Sequence, residues 1–303
     1  MGGIQFLRLV CIFFNFNLGL IFLANNHIQD LSDGISSTLR ALARNGFTAF
    51  GAGSNLCEAA NFVTISSGKQ KFIILGFGWP VIGCIPATKR RPGVNRLESH
   101  QVLGAAVGSL RVDPASRLII VIHGNYEFER YPQPAHRRLA KQLIDLGAYA
   151  VIFHHPHVVG PVERYKKRTI AYSLGNWAFS HGKFFDGRLR FPAESFDQIA
   201  VELGEDEDLV HHARFVPPNR VVYQKAERVM GADFSLKPAF EGYDDAEYLE
   251  WSKHHRIKRR GLPIYRNAAD SPSNWLRDRW VGLRQVLIDT SVRSGLKSLR
   301  RRA

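Results

Sequence analysis

Largely apolar runs of strand length recur along the chain, separated by segments whose apolar residues fall at helical spacing. Leu18 to Leu23, Phe72 to Phe77, Leu118 to Ile122, Ala148 to Phe153 and Thr169 to Leu174 are runs of the kind that fills strands covered on both faces. Between them, Ile35, Leu39 and Leu42 follow the capping side chains of Ser32 and Asp33 and predict a helix that stops at Gly46. Gln101 to Arg111 reads as a second helix, closed by Asp113-Pro114, and Ala135, Leu139 and Leu143 mark a third, ended by Gly147. Gly83 to Val94, with Pro86, Pro92 and the run Lys89-Arg90-Arg91, predicts a surface loop. Ile199 to Leu203 and Arg214 to Tyr223 are expected as strands that finish the sheets. Strands alternating with helices predict an α/β fold.

The pattern changes near Lys225. A domain over residues 18–224 is therefore expected, followed by a basic, partly helical C-terminal extension over 225–303. Lys253, Arg256, Lys258, Arg259 and Arg260 crowd together there, and Leu276, Trp280, Leu283 and Leu287 form an apolar stripe, with Arg277, Arg284 and Arg293 off it. That stripe has three uses open to it: packing on the main domain with its arginines solvated, the expectation adopted here; lying on an anionic membrane surface; or joining a nucleic-acid interface. No recognisable nucleic-acid motif accompanies it, so nucleic acid is not an expected partner.

Composition sharpens this little. The 303 residues carry a formal net charge of +14, which favours anionic partners without specifying a fold. Cys11, Cys57 and Cys84 lie too far apart for a zinc-finger or disulfide framework, and buried, unreactive thiols are expected. Met1 to Ala24 has Arg8 as its only charge, yet Asn15 and Asn17 interrupt it and no small-residue cleavage site follows. It reads better as the strand that delivers the next motif than as a signal peptide or anchor.

The chemistry sits where the apolar runs end. Asn25-Asn26-His27 follows the first, His123-Gly124-Asn125-Tyr126-Glu127 the third, and His154-His155-Pro156-His157 the fourth. Strand ends are where open α/β sheets build their sites, and imidazole and oxygen donors suit divalent Zn, Mn or Fe. Asn26, His123, His155 and His157 are therefore the expected metal ligands, with His27 as a general acid for a leaving group. Glu127 is a further carboxylate able to orient an imidazole.

These segments also resemble, in order, the motifs of the CapA family of poly-γ-glutamate capsule biosynthesis proteins, which are similar to calcineurin-like metallophosphoesterases. The resemblance rests on Ala24-Asn25-Asn26-His27 with Asp30, Gly51-Ala52-Gly53 with Glu58-Ala59, His123-x-x-x-Glu127, Leu143 to Ala148, His155-Pro156-His157-Val158, and Tyr172-Ser173-Leu174-Gly175-Asn176. It implies a metallophosphoesterase-like α/β/β/α sandwich, up to two divalent ions, and supporting roles for Asp30 and Asn176 beside Glu127. It also implies work on, or escort of, an anionic polymer or phosphorylated substrate at the cell envelope or membrane.

Two departures qualify those implications. Family members open with strands ending in Gly-Asp and Asn-Leu-Glu motifs whose acids serve as metal ligands; Met1 to Asn17 holds no Asp or Glu. The sandwich is thus expected without its first strands, and the metal site without its acidic ligands, unless another acid substitutes. In addition, Gly124-Asn125 stands where the family has Trp-Gly, and Phe153 where it has glycine. The expected activity is metal-dependent hydrolysis of a phosphoester or amide; the alternative is a non-catalytic accessory protein that holds an anionic chain or a membrane surface.

Overall fold

The computed structural model describes residues 19–176, 192–204, 207–216, 220–229, 245–255, 261–267 and 272–293. Met1 to Asn17, Cys11, Trp177, the cluster Arg256 to Arg260 and the terminal arginines lie outside the described residues. The chain forms two compact units, one comprising residues to Gly124 with Leu143–His155, the other Asn125–Gln142 with residues from Pro156 on.

In the first unit, β1 (Leu20–Phe22) pairs in parallel with β2 (Thr48–Phe50). Between them α1 (Gly34–Arg44) buries Ile35 and Leu42 against Leu23, Ala24, Ala52 and Val94, as the spacing of its apolar residues predicts. β3 (Ala52–Gly53) pairs with β6 (Gly93–Val94), so the expected loop over 83–94 is partly drawn into a sheet and buries Cys84, Ala87 and Val94. Between β3 and the short α2 (Leu56–Ala60), Asn55 accepts from the Glu58 amide while the Glu58 carboxylate accepts from the Ser54 amide, a reciprocal helix cap. A Cβ on Gly53 would stand 2.4 Å from the Ala59 nitrogen, which gives the Gly51-Ala52-Gly53…Glu58-Ala59 pattern its physical reason.

The remaining strands of this unit are β4 (Val63–Ser67), β5 (Gln70–Gly78), β7 (Arg117–His123) and β8 (Ala150–His154). β4 and β5 form an antiparallel hairpin, while β5, β7 and β8 run parallel in adjacent positions. The helix α3 (Ser99–Val112) carries the chain from β5 to β7, the connection a parallel pair requires. Leu118, Ile120 and Ile122 are fully buried, as a continuous apolar strand predicts. Gly76 lies beneath the rings of Phe22 and Phe50, where a Cβ would meet Phe22 at 2.6 Å; this close approach lets the end of β1 reach the carboxyl ends of β5, β7 and β8.

The second unit contains α4 (Pro134–Asp145, residues to Gln142 belonging here), the hairpin β9 (Val162–Tyr165) and β10 (Arg168–Ala171), and the antiparallel sheet β11 (Asp197–Glu202), β12 (Leu209–Val216) and β13 (Arg220–Arg228). The expected strand over 214–223 is thus parts of two strands. α5 (Asp245–His255) buries Tyr248 against Tyr131 and Trp251, and α6 (Pro272–Arg293) follows. The mixed α/β class is as the pattern of strands and helices predicts. The Leu276/Trp280/Leu283/Leu287 stripe is not packed as expected: all four side chains are exposed. Cys57 is likewise exposed, whereas Cys84 is buried, its thiol pushed up to about 12 by desolvation. Among the described residues, no helix is long and apolar enough to cross a membrane.

Candidate metal and acid-base site

Past the end of β1 the chain turns sharply. The Asn25 amide bonds back to the Leu23 carbonyl at 2.7 Å, and the Asn25 side chain accepts from the His27 amide at 2.9 Å. That side-chain turn is what asparagine does well. The first asparagine of the motif therefore builds the turn, leaving Asn26 and His27 to project. β7 and β8 end in register, His123 opposite His154, and the Gly124 amide bonds the His154 carbonyl at 3.0 Å, so His155 leaves beside His123.

Within the first unit these ends bring Asn26, His123 and His155 together. His123 Nε2 lies 2.9 Å from Asn26 Oδ1 and 3.2 Å from His155 Nδ1, with the two rings edge to face at 4.9 Å. The same asparagine faces His27: its Nδ2 donates to His27 Nε2 at 3.2 Å, and His27 Nδ1 donates to Asp30 Oδ2 at 2.9 Å. Asp30 thereby fixes one tautomer and leaves Nε2 as the accepting atom. The His27 and Asp30 side chains are mostly exposed, so their pairing orients the ring more than it stabilises the fold.

The donor set fits a divalent transition metal as far as it extends. Two imidazole nitrogens and an amide oxygen converge, and three protein ligands are the complement of an open catalytic site. One ring nitrogen carries a single proton or a single lone pair, so His123 Nε2 cannot serve both close neighbours with one linear bond. Among the described residues no group of three His, Cys, Asp or Glu side chains could hold a metal ion; the third donor here is an amide. His155 has φ +104°, outside the region side-chain-bearing residues favour, and such strain concentrates at functional positions.

The second unit holds the other residues singled out by sequence. His157, with φ +61°, places Nδ1 2.7 Å from Asn176 Oδ1. Donating there puts the lone pair on Nε2, the kind of support that imidazoles ligating a metal commonly receive. Asn176 is buried, and among the described residues its Nδ2 has no hydrogen-bond partner. Glu127 is half-buried. The fully buried carboxylate is Glu129, whose Oε2 accepts from Gln133 Nε2 at 3.0 Å and from the Tyr248 hydroxyl at 3.2 Å. Sequence reasoning passes over this network, because Glu129 differs from Glu127 by one strand period and Tyr248 lies more than a hundred residues away.

Parallel strands with imidazole and amide donors at their carboxyl ends define an α/β protein with a polar donor cluster. Residues 9–181 match the family described as bacterial capsule synthesis protein PGA_cap. This is more than half of the 303 residues, and the chain belongs to that family. It is 32% identical over 165 residues to the capsule biosynthesis protein CapA of Bacillus anthracis, covering 53% of this chain and 40% of that protein. The PGA biosynthesis protein CapA of Bacillus subtilis is 32% identical over 161 residues, covering 52% of this chain and 42% of its own. A probable polyglutamine synthesis accessory protein of Mycobacterium tuberculosis is 29% identical over 51% of this chain and 43% of its own. The match therefore spans about two-fifths of these curated relatives. Among solved structures, a 5'-nucleotidase precursor from Thermus thermophilus overlaps with a TM-score of 0.36 at 13% identity, over 80% of this chain and 45% of that one. The NAD nucleotidase of Haemophilus influenzae overlaps with 0.35 at 10% identity, over 89% and 46%. Overlaps this loose carry no chemistry across.

Proposed function

We propose that Asn26, His123 and His155 hold a divalent Zn, Mn or Fe ion, and that the protein is a metal-dependent hydrolase of capsule or exopolymer biosynthesis. The observation that supports this reading is the convergence of the Asn26 oxygen and the His155 Nδ1 nitrogen on His123 Nε2. A divalent ion held there would bring the pKa of its water to about 7 and polarise the oxygen under attack. The protein's own part is to orient donors and move one proton. Asn25 shapes the turn, Asp30 fixes the His27 tautomer, and His27 Nε2 exchanges a proton with a departing oxygen or nitrogen. Asn176 fixes His157 in the same manner. The substrate class is an anionic polymer or a phosphorylated compound. A second reading, an accessory protein that binds an anionic chain without turnover, draws on the exposed Lys89-Arg90-Arg91 run and the purely neutral donor set.

Metal content by mass spectrometry, after purification without chelators and reconstitution with Mn, Zn or Fe, tests the choice. Close to one ion or more per chain, lost in His155→Ala and His123→Ala, is the expected result. Metal no higher than in those variants would end the hydrolase reading and leave the accessory one.

A further inference from the structure

α6 packs the opposite way from its sequence pattern. Its buried Asn274 and the half-buried Arg277, Val281, Arg284, Ile288 and Ser291 fall three and four apart on one face. Polar bonds fasten this helix to the preceding segment: Asn274 Nδ2 to the Asn267 carbonyl at 2.8 Å, the Tyr265 hydroxyl to Asp278 at 2.7 Å, and Trp280 Nε1 to the Gly261 carbonyl at 2.6 Å. The other face carries Trp275, Leu276, Trp280, Leu283, Val286 and Leu287, each between 48% and 61% exposed. Six large apolar side chains in one row are more than scattered surface residues account for.

We propose that this face of α6 lies on an anionic lipid surface, with the helix axis in the plane of the interface. Charge complementarity selects that occupant. Arg279 is exposed within the apolar face, its guanidinium 4.9 Å from the Trp275 ring, and an arginine stem can lie along apolar surface while its head reaches phosphates. The sequence after the helix continues with Lys297, Arg300, Arg301 and Arg302 and no acid. Tryptophans favour the headgroup level, and Trp275 and Trp280 stand on the same exposed face. The assignment is independent of the metal site, which lies in the other unit.

Co-sedimentation of the full chain with vesicles of mixed phosphatidylcholine and phosphatidylglycerol, against phosphatidylcholine alone, tests the proposal. Binding is expected only to the anionic vesicles, weakening as salt is raised. It should fall about fivefold in Arg279→Gln and be lost in the triple variant Leu276→Gln/Leu283→Gln/Leu287→Gln. These leucines are exposed and glutamine is an equal helix former, so the thermal melt of the triple variant should match that of the parent. If the triple variant melts early, the fivefold fall in Arg279→Gln alone carries the test. Absent binding, or binding that survives the triple variant, overturns the proposal. So does a dimer by light scattering that the triple variant abolishes, which would give the face to a second copy.

Discussion

Replacing Glu163 by glutamine should loosen the second unit out of proportion to the change of one atom. Glu163 is 4% exposed on β9. Its Oε2 accepts from Arg137 Nε at 3.0 Å and from the Tyr172 hydroxyl at 2.8 Å. Its Oε1 accepts from Arg137 Nη2 at 2.8 Å and pairs with Lys141 Nζ at 3.0 Å. An amide retains one oxygen, so whichever way it turns, two donors face an NH2 group that cannot accept. Leaving buried donors of this kind unmet costs about 3 kcal/mol or more. Removing both charges together, as in Glu163→Leu/Arg137→Met, should recover most of that, because the burden lies in the unpaired ion and not in the loss of the pair. Burial by itself would raise the Glu163 carboxyl, but Arg137, then Lys141 and Tyr172, hold it below the ordinary carboxylate range. A folded-state pKa below the unfolded one gives stability that is complete above the unfolded value and lost as pH falls through the folded one. The parent should therefore lose this contribution below about pH 4, and the glutamine variant should have less to lose. Urea unfolding followed by tryptophan fluorescence measures both effects. A cost below about 1 kcal/mol for Glu163→Gln, or a double variant as unstable as its two singles combined, would refute the reasoning. The result bears on His157 as well, since Tyr172 begins the segment that carries Asn176 to it.

Asn26→Asp restores a carboxylate to a neutral donor set without changing its shape, and should tighten divalent-metal binding by at least about tenfold; competition with a chromophoric chelator measures it, and unchanged or weaker binding would count against the cluster as a metal site. His136 is buried, and desolvation lowers its pKa to about 3. Its folded value lies below the unfolded one of about 6.5, so its contribution is whole above that pH and erodes as the pH falls toward the folded value. The parent should lose about 2 kcal/mol between pH 7 and pH 5 from this group alone, and His136→Phe should flatten that part of a pH-stability curve.

Much of the first unit is legible in the sequence because its signals are local. Leu118 to Ile122 is apolar at every position and is a buried parallel strand; Ile35, Leu39 and Leu42 recur at helical spacing and face the core or its edge. The residues gathered at the strand ends are legible for the same reason, since a strand's end can be read from its sequence and parallel neighbours end together. The second unit is harder because its decisive contacts are long-range and polar. Tyr248 looks like one aromatic in a charged helix, yet it is fully buried because Glu129 and Gln133, more than a hundred residues earlier, bond its hydroxyl. β12 is hidden by His211-His212 in mid-strand, where His212 pairs with Glu227 on β13. α6 shows the limit of periodicity most plainly. Leu276, Trp280, Leu283 and Leu287 form the stronger apolar row, but Asn274, Asp278 and Trp280 bond the neighbouring segment and turn that row outward.

The proton inventory of the site sets out what the proposed cation would change. Starting from Asp30, each contact can be given a direction: His27 Nδ1 donates to the carboxylate, Asn26 Nδ2 donates to His27 Nε2, and His123 Nε2 donates to Asn26 Oδ1. With its one proton committed, His123 Nε2 offers nothing that a hydrogen of His155 Nδ1 can approach and only a divided share to that atom's lone pair at 3.2 Å. Turning the Asn26 amide over moves the mismatch without removing it. His27 Nε2 must then donate while Nδ1 still serves Asp30, which charges the ring. A neutral arrangement therefore satisfies Asp30, His27 and Asn26 and leaves the His123–His155 junction as the weak link. An ion held, as proposed, by Asn26, His123 and His155 would draw on a lone pair of each and would leave the Asn26-to-His27 and His27-to-Asp30 bonds in place. The backbone at that junction, with His155 at φ +104°, carries a cost that a well-packed strand end would ordinarily avoid by placing glycine there.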